Sequence, residues 1–264
     1  EKETKTKEKD PDKLVLNIED KKEDNIQEEQ TDMQEQASQP DGQSQAEEAN
    51  EQQPQKNGHL IAIDAGHQAR GNFATEPVGP GSSTRKAKVA GGATGVASHV
   101  PEYKLTLAVS KKLQKELKAR GYKVYMIRTK NNVNISNKKR AQLANKSGAD
   151  IYIRIHADSS NSRAVTGASG LYPSKANRYV SKLSAKSKKL SSCLLKSYCK
   201  KTKIRNRGLV ARDDLTGTNW SKIPVSLIEM GFLSNPSEDR KMQKSNFQTK
   251  MAKGIADGID AYFK

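Results

Sequence analysis

The chain has 264 residues and a formal net charge of +17; 29% of its residues are charged and 5% are aromatic. That length allows one domain with an appendage, or two small domains, and no apolar run approaches the ~18 residues that a transmembrane helix needs. The charge is unevenly spread: residues 1–57 hold 8 basic and 17 acidic residues, so the other 207 hold 39 and 13 and carry a net +26.

The first 57 residues are rich in Glu, Gln, Asp and Lys, lack aromatic residues and contain one short apolar patch, LVLNI. So little apolar surface cannot offset the entropy of ordering the chain, and a disordered acidic tail or linker is expected over 1–57. Residues 58–264 suit a single globular domain. No signal peptide is visible, and a start at Glu1 fits the mature or truncated form of an exported protein.

From Leu60 onward strand-like runs alternate with amphipathic ones. LIAIDA (60–65) predicts a buried strand. The 34 residues between His67 and Glu102 are rich in Gly and Ser, and are expected to form a structureless loop beside a ligand groove. Within them GGATG (91–95) lacks the context of a phosphate-cradling loop and is set aside. The run EYKLTLAVSKKLQKELKARG (102–121) places Leu105, Val109, Leu113 and Leu117 on one helical face and stops at Gly121.

YKVYMIR (122–128) predicts a second strand, SNKKRAQLANKSG (136–148) a helix capped by Ser136, and ADIYIRIH (149–156) a third strand. A strand near ASGLY (168–172) and a long basic helix from about Ser174 to Lys203 follow. Cys193 and Cys199 lie six apart on that helix, too far around it for easy bridging, and read as structural thiols. IPVSLIEMGF (223–232) is another buried strand, with a helix after Asn235, and FQTKMAKGIADGIDAYF (247–263) is an amphipathic helix. The alternation predicts an α/β fold, a single domain with a twisted, mainly parallel central sheet flanked by helices on both faces.

In open sheets of this kind the ligand site lies beyond the carboxyl ends of the strands. Three expected strands bring His67, His156 and Glu229 to that edge. A catalytic zinc takes three His or carboxylate ligands and keeps one position for water. Glu102, at a helix start whose dipole keeps it ionised, is the candidate third ligand. Glu229, on an otherwise apolar strand, must pair with a cation or carry a raised pKa, which suits a general base.

His99, three residues before Glu102, is a rival ligand, and His59 reads as an ordinary polar residue. Asp64 either accepts the second N–H of a ligating imidazole or caps the loop by an Asx turn. Arg85, Lys86 and Lys88 are expected to meet anionic groups at the groove edge.

IDAGH, the Glu that opens the helix in PEYKLTLAVSKKL, IRIHAD and VSLIEMGFLSNPSED, in that order, resemble the zinc-dependent N-acetylmuramoyl-L-alanine amidases, the family commonly called Amidase_3. The resemblance runs from about His59 to Phe263. It implies one Zn2+ held by His67, Glu102 and His156, with Glu229 as the catalytic glutamate. It also implies cleavage of the amide between N-acetylmuramic acid and L-alanine in peptidoglycan.

The expected setting is extracytoplasmic, in a bacterial cell wall or secreted, with peptidoglycan as partner, an allowance for a protein activator, and a monomeric state. Nucleic acid is the generic partner of a basic domain, but no recognition motif is present and aromatic residues are scarce, so it is not expected. An anionic wall fits the same charge by long-range attraction. A zinc peptidase acting on stem peptides and an inactive wall-binding module are the alternatives.

Overall fold

The computed structural model describes residues 58–264; the tail expected over 1–57 lies outside the described residues. A six-stranded sheet runs in the order β4-β1-β5-β8-β6-β7. Its strands are β1 (Leu60–Ala65), β4 (Lys123–Met126), β5 (Ile151–Asp158), β6 (Ala168–Tyr172), β7 (Asn206–Ala211) and β8 (Val225–Phe232). β1 pairs in parallel with β4 and β5, and β5 with β8; β6 is antiparallel to β8 and parallel to β7. The sheet is therefore mainly parallel, as the βα alternation predicts.

Successive residues of a strand face opposite sides, and the two cores divide accordingly. Ile61, Ile63, Ile151, Ile153 and Ile155 join α1 (Glu102–Ala119), α3 (Ser184–Thr202) and α6 (Ser245–Phe263) in the larger core. Ala62, Tyr152 and Val225 face α2 (Asn137–Lys146) through Ala141 and Ala144. The Leu105, Val109, Leu113 and Leu117 stripe of α1 is buried as its spacing predicts, each such side chain contributing about 1.5–3 kcal/mol. Ser136 caps α2 by accepting the Lys139 N–H, and Asn235 caps α5 (Pro236–Gln243) through the Ser237 and Glu238 N–H groups.

Two local expectations are corrected. The stretch between His67 and Glu102 is not structureless: β2 (Asn72–Pro77) and β3 (Arg85–Val89) form an antiparallel hairpin. Within the two strands only Glu76 and Val89 are buried, so no apolar alternation announces them. The basic helix starts ten residues later than expected, at Ser184 after a 3-10 turn at Ser181–Leu183. The Asn177 side chain accepts the Tyr179 and Val180 N–H groups, and such local bonds compete with helix formation. β7, mostly exposed at the sheet edge, and the short α4 (Thr216–Asn219) also carry no apolar period. Cys193 and Cys199 are unbridged. Among the described residues no helix is long and apolar enough to cross a membrane.

Candidate metal centre

β1 leaves the sheet through Gly66, whose N–H donates to the Ile155 carbonyl at 2.9 Å, and His67 then turns into the left-handed region at φ 59°. That conformation costs a non-glycine residue roughly 1–2 kcal/mol, and two buried arginines hold it. Arg140 donates to the carbonyls of Ala65 and His67, each at 2.9 Å. Arg128 donates to the carbonyls of Ala65 at 2.8 Å and Gly66 at 3.0 Å, and the Thr106 hydroxyl adds a bond to Gly66 at 2.8 Å. The strand exit is clamped from both sides, which aims the His67 ring across the sheet edge.

His67, Glu102 and His156 each bring a metal-competent atom within 4.8 Å of the others, the one such group among the described residues. Glu102 Oε2 lies 3.2 Å from His67 Nε2, and Oε1 lies 3.2 Å from His156 Nδ1. The carboxylate is fixed by the Ala93 N–H at 2.9 Å and the Ala157 N–H at 3.0 Å, one to each oxygen. Its place in the first turn of α1 adds the favourable end of the helix dipole. His67 Nδ1 donates to the Ala90 carbonyl at 2.9 Å, so Nε2 donates to Glu102 when the ring is protonated and offers its lone pair to a metal when the ring is neutral.

Electrostatics follow from these contacts. Burial works to raise the Glu102 pKa, but the hydrogen bonds of His156 and His67 outweigh it and hold the carboxyl below the usual range. Burial pulls His67 down, and its bond to Glu102 more than restores it, so it sits above the ordinary histidine value. His156 is buried and burial dominates, bringing it down to about 4, so its ring is neutral and able to donate a lone pair.

Two glycines make room for the rings. A Cβ on Gly66 would stand 2.4 Å from His156 Cε1, and one on Gly92, at φ 80°, would stand 2.9 Å from His67 Cγ and 3.0 Å from Glu102 Oε2. Gly92 belongs to the GGATG run set aside above; the run serves close backbone approach to the rings and the carboxylate.

Glu229 completes the edge. In β8 it is the register partner of His156 on one side and of Ser169 in β6 on the other. With His67, His156, Lys86, Arg212 and Asp214 it lines a cavity of 360 Å3. Burial, then the nearby Glu102 and Asp158 carboxylates, push its pKa well above the usual carboxylate value. Glu229 Oε2 and His156 Nε2 are both buried without a hydrogen-bond partner in the protein. Orphaned buried polar atoms are rare in native proteins, and here two of them face one edge of the sheet. Two imidazoles around an anchored carboxylate make three donors of zinc-binding type and, with glycines cut away beneath the rings, fit a zinc ion.

The other expected residues separate. Asp64 bonds no histidine and caps no turn: it accepts from Arg140 Nη1 at 2.6 Å, Tyr152 Oη at 2.9 Å and Arg154 Nε at 3.1 Å in a buried cluster. The adjacent guanidinium groups are better partners than an imidazole would be. Lys86 lines the cavity, where its ammonium meets Asp214 Oδ2 at 2.8 Å. Arg85 turns to Thr75 across the hairpin, and Lys88 is not among the cavity-lining residues. His99 stands outside the donor group, and His59 stacks on Phe263 with ring centroids 3.9 Å apart. Arg128 and Arg140 are the positioning residues that sequence reasoning missed; an arginine ending the apolar YMIR run was the available signal.

Fold and site together define a class: an α/β sheet protein with a His–Glu–His group and a buried carboxyl at the carboxyl edge of its strands. The family model for N-acetylmuramoyl-L-alanine amidase matches residues 61–261, and the chain belongs to that family. It is similar to the crystal structure of N-acetylmuramoyl-L-alanine amidase from Clostridium difficile 630 at 30% identity and TM-score 0.63, covering 78% of this chain and 96% of that one. The catalytic domain of CwlV from Bacillus (Paenibacillus) polymyxa var. colistinus is similar at 26% identity and TM-score 0.63, over 78% and 98% of the two chains. The germination-specific N-acetylmuramoyl-L-alanine amidase of Bacillus subtilis is 34% identical over 128 residues, 48% of this chain and 50% of that protein.

Proposed function

We propose that the chain hydrolyses the amide between N-acetylmuramic acid and L-alanine in peptidoglycan, with one zinc ion held by His67, Glu102 and His156 and with Glu229 as the proton carrier. Its place of action is then extracytoplasmic, at the cell wall. The observation that carries the reading is the buried His–Glu–His group beside Glu229, whose Oε2 has no partner within the protein. Family membership supplies the substrate class.

A zinc ion held by His67, Glu102 and His156 would supply Lewis acidity and would lower the pKa of a water from about 16 toward 7. The protein's own groups do the rest. Glu102, tied by two backbone N–H groups, keeps both imidazoles in place without moving. Glu229, buried and raised in pKa, takes the proton of the attacking water on Oε2 and returns it to the leaving nitrogen. Lys86 and Arg212 at the cavity wall share the Asp214 carboxylate and leave one net positive charge along the substrate's approach.

The test is digestion of purified peptidoglycan by the full chain, with the released fragments read by mass spectrometry. Stem peptides beginning with L-alanine are expected, lost on chelation and restored by zinc. Fragments cut inside the stem peptide would overturn the reading in favour of a peptidase. Bound zinc without any release would point to an enzyme that waits for an activator.

A further inference from the structure

Between Asp158 and Asp213 the chain runs for 54 residues with 14 lysines and arginines and no carboxylate. Six of those lysines lie on α3, and all six are exposed. Among the described residues only Lys201 of the six makes an ion pair, with Asp257 at 3.2 Å. Like charges at helical spacings of three and four, such as Lys186 with Lys189 and Lys196 with Lys200, each oppose the helix by a few tenths of a kcal/mol. The face is electrostatically unsatisfied by the protein itself.

A cavity of 560 Å3 opens where α3 meets the end of β6. Lys175, Lys188 and Lys189 line it together with Ser174, Ser184 and Ser192, and no Asp or Glu does. Asp213 approaches it only through Ser174, and is occupied by Ser174 and Asn177. Leu171 lines the cavity that holds Glu229, whereas Tyr172, the next residue along β6, lines this one. Successive strand residues face opposite sides of a sheet, so the lysine cavity is on the other face and is no extension of the catalytic cleft.

We propose that α3 and this cavity anchor a phosphodiester-bearing polymer of the cell wall while the opposite face of the sheet works on the peptide amide. The assignment of the polymer to the wall rests on the amidase reading. Lysine ammonium groups are donors that suit phosphate oxygens, and Lys175 and Lys188 meet no carboxylate in the cavity lining. The 19 residues of α3 span roughly 28 Å at helical rise, which matches a chain of repeating charges rather than one ion. Single-stranded nucleic acid would need aromatic platforms; among the described residues the exposed large hydrophobics are Phe73 and Val210, and Tyr172 lies under the Lys188 ammonium, 5.8 Å from it.

The experiment is sedimentation of the full chain with purified sacculi, either carrying their phosphodiester polymer or stripped of it. Two double variants are compared: K175Q/K188Q in the cavity, and K115Q/K118Q on the exposed side of α1. Lys189 is left in place because it donates to the Tyr262 carbonyl. At low salt the cavity pair is expected to weaken binding to intact sacculi roughly thirtyfold, and the α1 pair less than about threefold, with the loss vanishing on stripped sacculi and in high salt.

Equal loss in both pairs would reduce the effect to net charge and overturn the site. Equal affinity of the unaltered chain for intact and stripped sacculi would overturn the polymer, and competition by DNA or anionic vesicles at equal phosphate would overturn its assignment to the wall. Hydrolysis of a soluble muropeptide is expected to be unchanged in both variants. Failure of the amidase reading would show there, as no product from the unaltered chain, while failure of the anchoring site shows only in sedimentation.

Discussion

Asp64 and Glu102 are both buried carboxylates at the same edge of the sheet, yet their surroundings differ in kind. Asp64 is satisfied: two guanidinium groups and a tyrosine hydroxyl bond it, and of these Arg154 also lines the cavity that holds Glu229. Glu102 sits between two imidazoles beside His156 Nε2 and Glu229 Oε2, which find no protein partner. A satisfied buried network stabilises the folded chain, whereas one left with orphaned atoms is shaped for something the chain does not contain. Arg140 joins the two regions, since the guanidinium that pairs with Asp64 also holds the His67 carbonyl.

The sharpest way to break that comparison is at Glu229. Replacing it by Gln keeps the shape and removes the proton carrier, so kcat on peptidoglycan is expected to fall by about 10² to 10⁴, with zinc content and melting temperature unchanged. A parallel fall in stability would make Glu229 a member of the satisfied kind.

Asp64→Asn tests the other side. Leaving Arg140 and Arg154 buried with one charge fewer is expected to cost about 3–5 kcal/mol in denaturant unfolding. Burial raises the Asp64 pKa, but Arg140 and Arg154 outweigh it and hold the carboxyl well below the ordinary range. With the folded pKa below an unfolded value of about 3.9, this stabilisation is complete above roughly pH 4 and is lost as pH falls toward the folded pKa. The variant should therefore show a flatter decline in stability below pH 4 than the unaltered chain.

Gly66→Ala probes the space between the two regions. The added methyl collides with the His156 ring, and zinc affinity, measured by chelator competition, is expected to fall on the order of 10–100-fold, as when a ligand's support is lost. A smaller effect is expected at the cavity wall, where Lys86 and Asp214 pair with side chains 43% and 50% exposed. A double-mutant cycle with Lys86→Met and Asp214→Asn should give a coupling of about 0.2–1 kcal/mol that salt reduces.

Much of this was legible in the chain. Apolar runs located β1, β5 and β8, which are buried along nearly their whole length, and helical spacing located the buried α1 stripe. Hydrogen-bonded caps made the Ser136 and Asn235 helix starts readable. The hairpin of β2 and β3 was not, since its residues are mostly exposed and no apolar period marks them. Asp64 was misread for a related reason: its partners Arg140 and Arg154 lie 76 and 90 residues away, and no local pattern reports such a contact.

By itself the sequence determined the residue types that can hold a metal and move a proton, and, through local periodicity, the elements that carry them. Tertiary structure alone decided that Glu102 lies between His67 and His156, that Glu229 is left without a partner, and that Arg128 and Arg140 clamp the turn before the site. Element formation depends on neighbours a few residues apart, while the site depends on which strands lie side by side and on what each buried polar atom meets there.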